Sequence, residues 1–230
     1  MKIGLWNIDH PECLHDAGRR QRRYADVLQF LHDTHCDVYV LTEANAAIQL
    51  AGYEARFSEE SPFRKKDRCY ESPNRYHQVA VYSTYSISRT EDIAEPVNGL
   101  FCWIDRESRS LFLYGNVVTI KDRWMPESNK TYTDRLDEQL GQIGRLPRNQ
   151  LIVCGDFNLR HGWSQRKKSY QRLEQVVREH GLEWPTKTTT DTVQHVIHSG
   201  DISTSVTVDS SVKERHLSDH PFVLVELENG

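Results

Sequence analysis

Short apolar runs that end in polar pairs recur along this chain, and helical spacing interrupts them in three places. Residues 2 to 8 read as a strand. Between 19 and 33, Tyr24, Val27, Leu28 and Leu31 fall at i, i+3, i+4 and i+7, the stripe of an amphipathic helix. CDVYVLTE reads as a strand ending at Glu43, HQVAVYS and SISRTEDI as a β pair, and LFCWIDRESRSLFLYGNVV as a hairpin turning around Arg106 to Ser110. Leu136, Leu140 and Ile143 mark a helix closed by Pro147. The run Leu151-Ile152-Val153-Cys154, bounded by Gly155, is too short for a buried helix and predicts a strand with Asp156 and Asn158 at its exit. A third helix carries Tyr170, Leu173 and Val177 on one face and stops at Gly181, a residue that tolerates φ > 0. TVQHVIH and PFVLVEL are β-rich, and residues 53 to 76, rich in charge and proline, are expected as a long surface loop. Helices lying between groups of strands predict a layered α/β architecture rather than an all-β sandwich.

Length and composition narrow this further. A chain of 230 residues, 37% hydrophobic and 27% charged, suits one domain spanning 1–230. No apolar run approaches the roughly 18 residues of a membrane span, so no membrane association is expected. MKIGLWNIDH turns polar within seven residues, which predicts a first strand rather than a signal peptide. Five cysteines at wide spacing without CxxC argue against a disulfide framework and a zinc site, and favour a cytoplasmic location. With a net charge of -4, attraction to a polyanion must come from patches such as Arg19, Arg20, Arg22 and Arg23 in RRQRR, the RKKDR segment, or RKK at 166 to 168.

Chemistry concentrates at strand ends. The first strand presents Asn7 and Asp9, the second Glu43, the fourth group Asn116, the run at 151 to 154 Asp156 and Asn158, and Ser218-Asp219-His220 precede the last strand. Each alone is an ordinary turn residue. Converging on one rim, they would form a hard-cation site, because Mg²⁺ takes oxygen ligands and keeps positions open for water and phosphate. The remaining histidines lack HExxH spacing and read as surface or structural, with His10 and His161 close behind motif residues and so candidates for the cleft.

WNID, CDVYVLTE, GDFN and LSDHP, in that order from residue 6 to 221, resemble the endonuclease/exonuclease/phosphatase superfamily, which includes apurinic endonucleases and pancreatic-type deoxyribonucleases. The resemblance implies an α/β (α+β) fold, a four-layered αββα sandwich of two mostly antiparallel sheets flanked by helices. It also implies Mg²⁺ or Mn²⁺ dependence and hydrolysis of phosphoester bonds. Carried onto this chain, it makes Glu43 the principal metal-binding residue, with Asn7, Asp9 and Asp219 on or near the metal. Asp156 orients or deprotonates the attacking water, Asn158 holds a phosphate oxygen, and His220 donates a hydrogen bond or proton to the phosphoryl group. Two positions depart from the pattern. Gln194 stands where relatives place an aspartate that orients the histidine, and in YGNVVTI only Tyr114 and Asn116 are candidates for a further catalytic contact.

The leading expectation is a monomeric nuclease or nucleic-acid phosphodiesterase, with Arg19, Arg20, Arg22, Arg23 and Arg160 on the phosphates. Trp163 would stack on a base or pack in the core. The alternatives are a phosphatase or phosphodiesterase of a small molecule, lipid head group or protein–DNA adduct, and an inactive binding module for which Gln194 is the support.

Overall fold

A computed structural model describes residues 1–11, 19–61, 75–106, 109–120 and 130–228, with only the backbone of residues 19–22 and 89. The expectations for the RKKDR segment and for the side chains of Arg19, Arg20 and Arg22 lie outside the described residues. The first half contains β1 (Lys2–Asn7), α1 (Arg19–Thr34), β2 (Val38–Asn45), β3 (Glu54–Phe57), β4 (Tyr76–Ser83), β5 (Ile87–Glu91), β6 (Gly99–Arg106) and β7 (Arg109–Val117). The second contains α2 (Tyr132–Ile143), β8 (Leu151–Asp156), α3 (Lys167–Glu179), β9 (Leu182–Glu183), β10 (Gln194–Ser199), β11 (Thr204–Asp209), α4 (Ser211–Glu214) and β12 (Phe222–Leu227).

The strands form two six-stranded sheets, β11-β12-β1-β2-β4-β3 and β5-β6-β7-β8-β10-β9. Three apolar layers alternate with the elements. Ile3, Leu5, Val38, Val40, Val79 and Val81 of the first sheet meet Leu111, Leu113, Ile152, Cys154 and Val196 of the second in a buried seam. Val27, Phe30 and Leu31 of α1 cover the outer face of the first sheet through Trp6, Tyr39 and Leu41. Leu136, Leu140 and Ile143 of α2, with Leu173, Val176 and Val177 of α3, cover the second through Tyr114, Val153 and Ile197. This is the expected αββα sandwich.

Each sheet is antiparallel except for one pair, β1 with β2 and β7 with β8. A parallel pair needs a crossover, and α1 and α2 supply them. Thr131 and Asp134 start α2 with reciprocal side-chain to backbone hydrogen bonds, a capping box. The carboxyl ends of all four parallel strands therefore open on one rim, the place where α/β sheets put ligands.

Two expectations change. HQVAVYS and SISRTEDI do not pair: β4 is flanked by β2 and β3, so no edge is left for β5, which crosses to the edge of the other sheet beside β6. The stretch from 53 to 76 is not all loop, because Glu54–Phe57 forms the edge strand that occupies that place. The hairpin is as expected, with Arg106 opposite Arg109. Cys36, Cys102 and Cys154 are buried free thiols. Among the described residues no helix is long and apolar enough to cross a membrane.

Candidate active site

Asn7, the last residue of β1, joins the two sheets. Its Nδ2 donates to Asp156 Oδ2 at 2.8 Å and to Glu43 Oε1 at 3.3 Å, and its Oδ1 accepts from the Asp9 backbone N–H at 2.9 Å. Two carboxylates from different sheets are thus held by one amide. Glu43 is skipped in the β2–β4 ladder and has φ +50°, and Asp9, His10 and Asn158 also have positive φ, of 48°, 44° and 48°. A non-glycine residue held there costs on the order of 1–3 kcal/mol, and such strain clusters at functional sites. Four of the seven such residues described lie at this rim.

The carboxylates differ in setting. Asp156 is buried; its Oδ1 accepts from the Asn158 N–H at 2.8 Å, and burial raises its pKa against the opposing pull of His220. The Glu43 side chain keeps about a third of its surface open to solvent, yet burial, with Asp156 and Asp9 adding to it, pushes its carboxyl up to about 7. His220 Nδ1 lies 3.9 Å from Asp156 Oδ2 and Nε2 lies 3.5 Å from Asp219 Oδ1. Its backbone N–H donates to Ser218 Oγ at 3.0 Å, and that hydroxyl donates to the Asn7 carbonyl at 2.6 Å. Sequence reasoning missed this tie, although Ser218 stands inside the LSDHP motif. Asp9 and Asp219 are solvent-facing, the latter strongly so. His10, by contrast, is buried with Nε2 3.7 Å from Glu43 Oε2, which makes it a site residue, while exposed His161 faces Tyr170 instead.

Gln194 does not orient the His220 ring. Its Oε1 accepts from the Asn7 N–H at 2.8 Å and its Nε2 donates to the Pro221 carbonyl at 2.6 Å. Gln194 opens β10 opposite Asp156, so its buried side chain crosses the seam to backbone groups. An amide satisfies an N–H and a C=O at once, which a carboxylate cannot. Gln194 is therefore a backbone tie between the sheets.

Tyr114 and Asn116 are not at the rim either. Strand side chains alternate faces, and Gly115 and Val117 are the residues of β7 that look across the seam. Tyr114 packs under α2 with its hydroxyl donating to Gln139 Oε1 at 2.6 Å, and burial raises its pKa. Asn116, on the same outer face, is fully buried, and neither atom of its amide has a hydrogen-bond partner among the described residues. It lies over Gly155, where an added Cβ would come within 1.9 Å of the Asn116 carbonyl oxygen. Gly155 is thus inside β8 because β7 passes too close for a side chain.

Outside the rim, Arg166 donates to the Asn158 carbonyl and lies 3.8 Å over the ring of Tyr132, whose hydroxyl donates to the Phe157 carbonyl at 2.6 Å. Trp163 is half-buried and belongs to none of the core clusters; the Arg160 guanidinium covers it at 4.6 Å. Arg23 is not free for a phosphate, since it donates to the carbonyls of Leu217, Asp9 and Ile8.

No group of three or more His, Cys, Asp and Glu arranged to chelate a metal occurs among the described residues. The donor set nevertheless suits Mg²⁺, which is bound through one or two carboxylates with waters and phosphate oxygens completing its shell. Glu43 supplies such a carboxylate, solvent reaches it, and its neighbours Asp156 and Asp9 add negative charge. A cation bound here would be held by Glu43, with Asp9, Asp219 and Asn7 beside it.

A family model described as "Endonuclease/Exonuclease/phosphatase family" matches residues 4–220. No curated protein sequence matches the chain. Among solved structures, the endonuclease domain of a telomere-specific non-LTR retrotransposon superposes with a TM-score of 0.69 at 14% identity, over 99% of this chain and 97% of that one. An AP endonuclease from Archaeoglobus fulgidus gives 0.65 at 14% identity, covering 100% of both chains. A 3′ phosphatase from Neisseria bound to a product DNA hairpin gives 0.64 at 13%, again over 100% of both. At these identities the likeness is one of fold.

Proposed function

Because the chain belongs to the endonuclease/exonuclease/phosphatase family, we propose that it is a divalent-metal-dependent nuclease or phosphodiesterase that hydrolyses phosphoester bonds in nucleic acid. The observation that carries this reading is the Asn7 bridge, which holds Glu43 and Asp156 side by side from two sheets with His220 within 4 Å of Asp156. Mg²⁺ or Mn²⁺, which Glu43 would hold, would supply a Lewis acid for the phosphoryl oxygen. Asp156 Oδ2 accepts the proton of the attacking water; burial has raised its proton affinity, as a general base requires. Asn7 Nδ2, already donating to that oxygen, fixes the direction from which it acts. His220 stands on the open side of Asp156 with its ring partly exposed, placed to donate to a non-bridging oxygen as charge develops. Asn158, its backbone locked to Asp156 Oδ1, carries its side chain at the same rim, where Nδ2 donates to the Val118 carbonyl at 3.1 Å. Turning toward a phosphate would exchange that bond for a charge-assisted one.

A nucleic acid fits the surroundings of the exit of β8. Arg160 lies over Trp163 beside the site, and Lys167 and Lys168 are exposed at the start of α3, so cationic charge lines one flank of the rim. The three solved structures compared above are named as an endonuclease domain, an AP endonuclease and a 3′ phosphatase bound to DNA. A panel of single-stranded and duplex DNA, RNA, abasic DNA, a phosphotyrosyl oligonucleotide and a small phosphomonoester, each with Mg²⁺ or Mn²⁺, tests the reading. Cleavage of at least one polynucleotide in preference to the phosphomonoester is expected. Turnover of the phosphomonoester alone would replace nuclease with phosphatase.

A further inference from the structure

Arg23 sits near the start of α1, where the helix macrodipole disfavours a cation, yet the structure gives it fixed partners. Its Nε donates to the Leu217 carbonyl at 2.8 Å, Nη2 to the Ile8 carbonyl at 2.5 Å and Nη1 to the Asp9 carbonyl at 3.3 Å, and Nη2 stands 3.7 Å from Asp9 Oδ2. Three-quarters of the side chain is shielded from solvent. The partners belong to two segments far apart in sequence. Ile8 and Asp9 form the turn that leaves β1, where Asp9 and His10 take positive φ, and Leu217 precedes the loop that carries Ser218, Asp219 and His220. On the inner side the same segments are tied by the Ser218 hydroxyl on the Asn7 carbonyl. The guanidinium is the outer tie. The planar fork presents Nε, Nη1 and Nη2 to three carbonyls at once in fixed directions; an ammonium gathers its donors on one atom and does not span them in the same way.

We propose that Arg23 is a positioning residue: it sets the spacing between the Asp9 turn and the Asp219–His220 loop, and so the shape of the cation-holding side of the site, rather than contacting substrate phosphate. This rests on the metal-dependent hydrolytic reading given above. Residues that orient metal ligands from behind typically govern affinity by about 10- to 100-fold, and Arg23 should do the same.

The test compares the full chain with Arg23→Met and Arg23→Lys by Mn²⁺ titration followed by electron paramagnetic resonance, alongside oligonucleotide binding across a salt series. Both variants should bind Mn²⁺ about 10-fold more weakly, require correspondingly more metal for half-maximal turnover, and keep the wild-type salt slope of oligonucleotide binding. Should Arg23→Met fail to fold, Arg23→Lys carries the same expectation, since it retains the stem and the charge and loses the fork. Mn²⁺ affinity within twofold of wild type in the folded variants overturns the proposal. So does a salt slope reduced by about one with Mn²⁺ affinity unchanged, the signature of a phosphate contact. A wild-type chain that neither binds Mn²⁺ nor cleaves any phosphoester overturns the hydrolytic reading itself.

Discussion

Acidifying the protein from pH 7 to pH 4 drives a proton toward His195, a fully buried ring whose charge would be cut off from water. Nε2 lies 2.8 Å from the Leu159 carbonyl and Nδ1 lies 3.1 Å from Thr186 Oγ1, which in turn accepts the Val196 N–H at 3.0 Å. The consistent assignment is a neutral ring donating from Nε2 and accepting at Nδ1; a second proton would turn the Thr186 hydroxyl away and leave a charge buried among apolar rings. The rings of Phe157 and Trp184 pack against it at 5.8 and 4.9 Å, and burial brings its pKa down to about 4. The folded-state pKa lies below an unfolded value of about 6.5, so the contribution to stability is complete above that value and is lost as pH falls through the window down to about 4. At about 1.4 kcal/mol for each pH unit, the loss amounts to about 3 kcal/mol, a large share of the 5–15 kcal/mol typical of a domain. Urea unfolding of wild type and His195→Gln at steps from pH 7 to pH 4 isolates it, because contributions of the carboxylates and of His77, another histidine whose pKa burial lowers, enter both curves. The variant is less stable at pH 7, and the gap narrows by about 3 kcal/mol toward pH 4. Parallel curves would refute the assignment of a buried neutral ring.

Gly155→Ala should destabilise the fold by at least about 1–3 kcal/mol, the ordinary cost of overpacking, because the new Cβ meets the Asn116 backbone; thermal melts check this, and an unchanged midpoint would refute the close approach. Gln194→Asp leaves the Pro221 carbonyl without its donor and places a carboxylate opposite Asp156. It should cost about 1–3 kcal/mol and lower kcat; a variant with wild-type stability in urea unfolding would refute the bond to the Pro221 carbonyl. Arg160→Ala and Trp163→Ala should weaken oligonucleotide binding, the arginine change lowering the salt slope by up to about one and the tryptophan change leaving it unaltered. Equal slopes for all three proteins would remove Arg160 from the phosphate path.

The rim was legible because Asn7, Glu43, Asp156 and His220 each follow or precede an unbroken apolar run, and such runs place their polar ends at a sheet's edge. Tyr114 and Asn116 stand near a strand end in sequence, but closeness to a strand end does not fix the face a side chain takes. Alternation puts them on the α2 face, and the signal for it was Gly115, the small residue that lets β7 approach Val40 and Val79 of the facing sheet. The misplaced β5 has a different cause: two β-rich runs joined by a short connection look like a hairpin unless one knows that a strand between them in space, Glu54–Phe57, has already taken the edge. The RRQRR cluster shows the limit of charge as a guide. A guanidinium serves a backbone carbonyl or a phosphate equally well, and only the fold shows Arg23 committed to Ile8, Asp9 and Leu217.

Cleavage of an end-labelled oligonucleotide by wild type, Glu43→Gln and Asp156→Asn, with Mg²⁺, with excess chelator and after Mg²⁺ is restored, tests the central claim most directly. The account predicts no cleavage in chelator and full recovery with Mg²⁺ for wild type. For Glu43→Gln it predicts a raised Mg²⁺ requirement, and for Asp156→Asn a loss of about 10²–10⁴ in turnover at saturating Mg²⁺, the scale of a general base. Undiminished cleavage in chelator, or an Asp156→Asn enzyme within twofold of wild type, would contradict it.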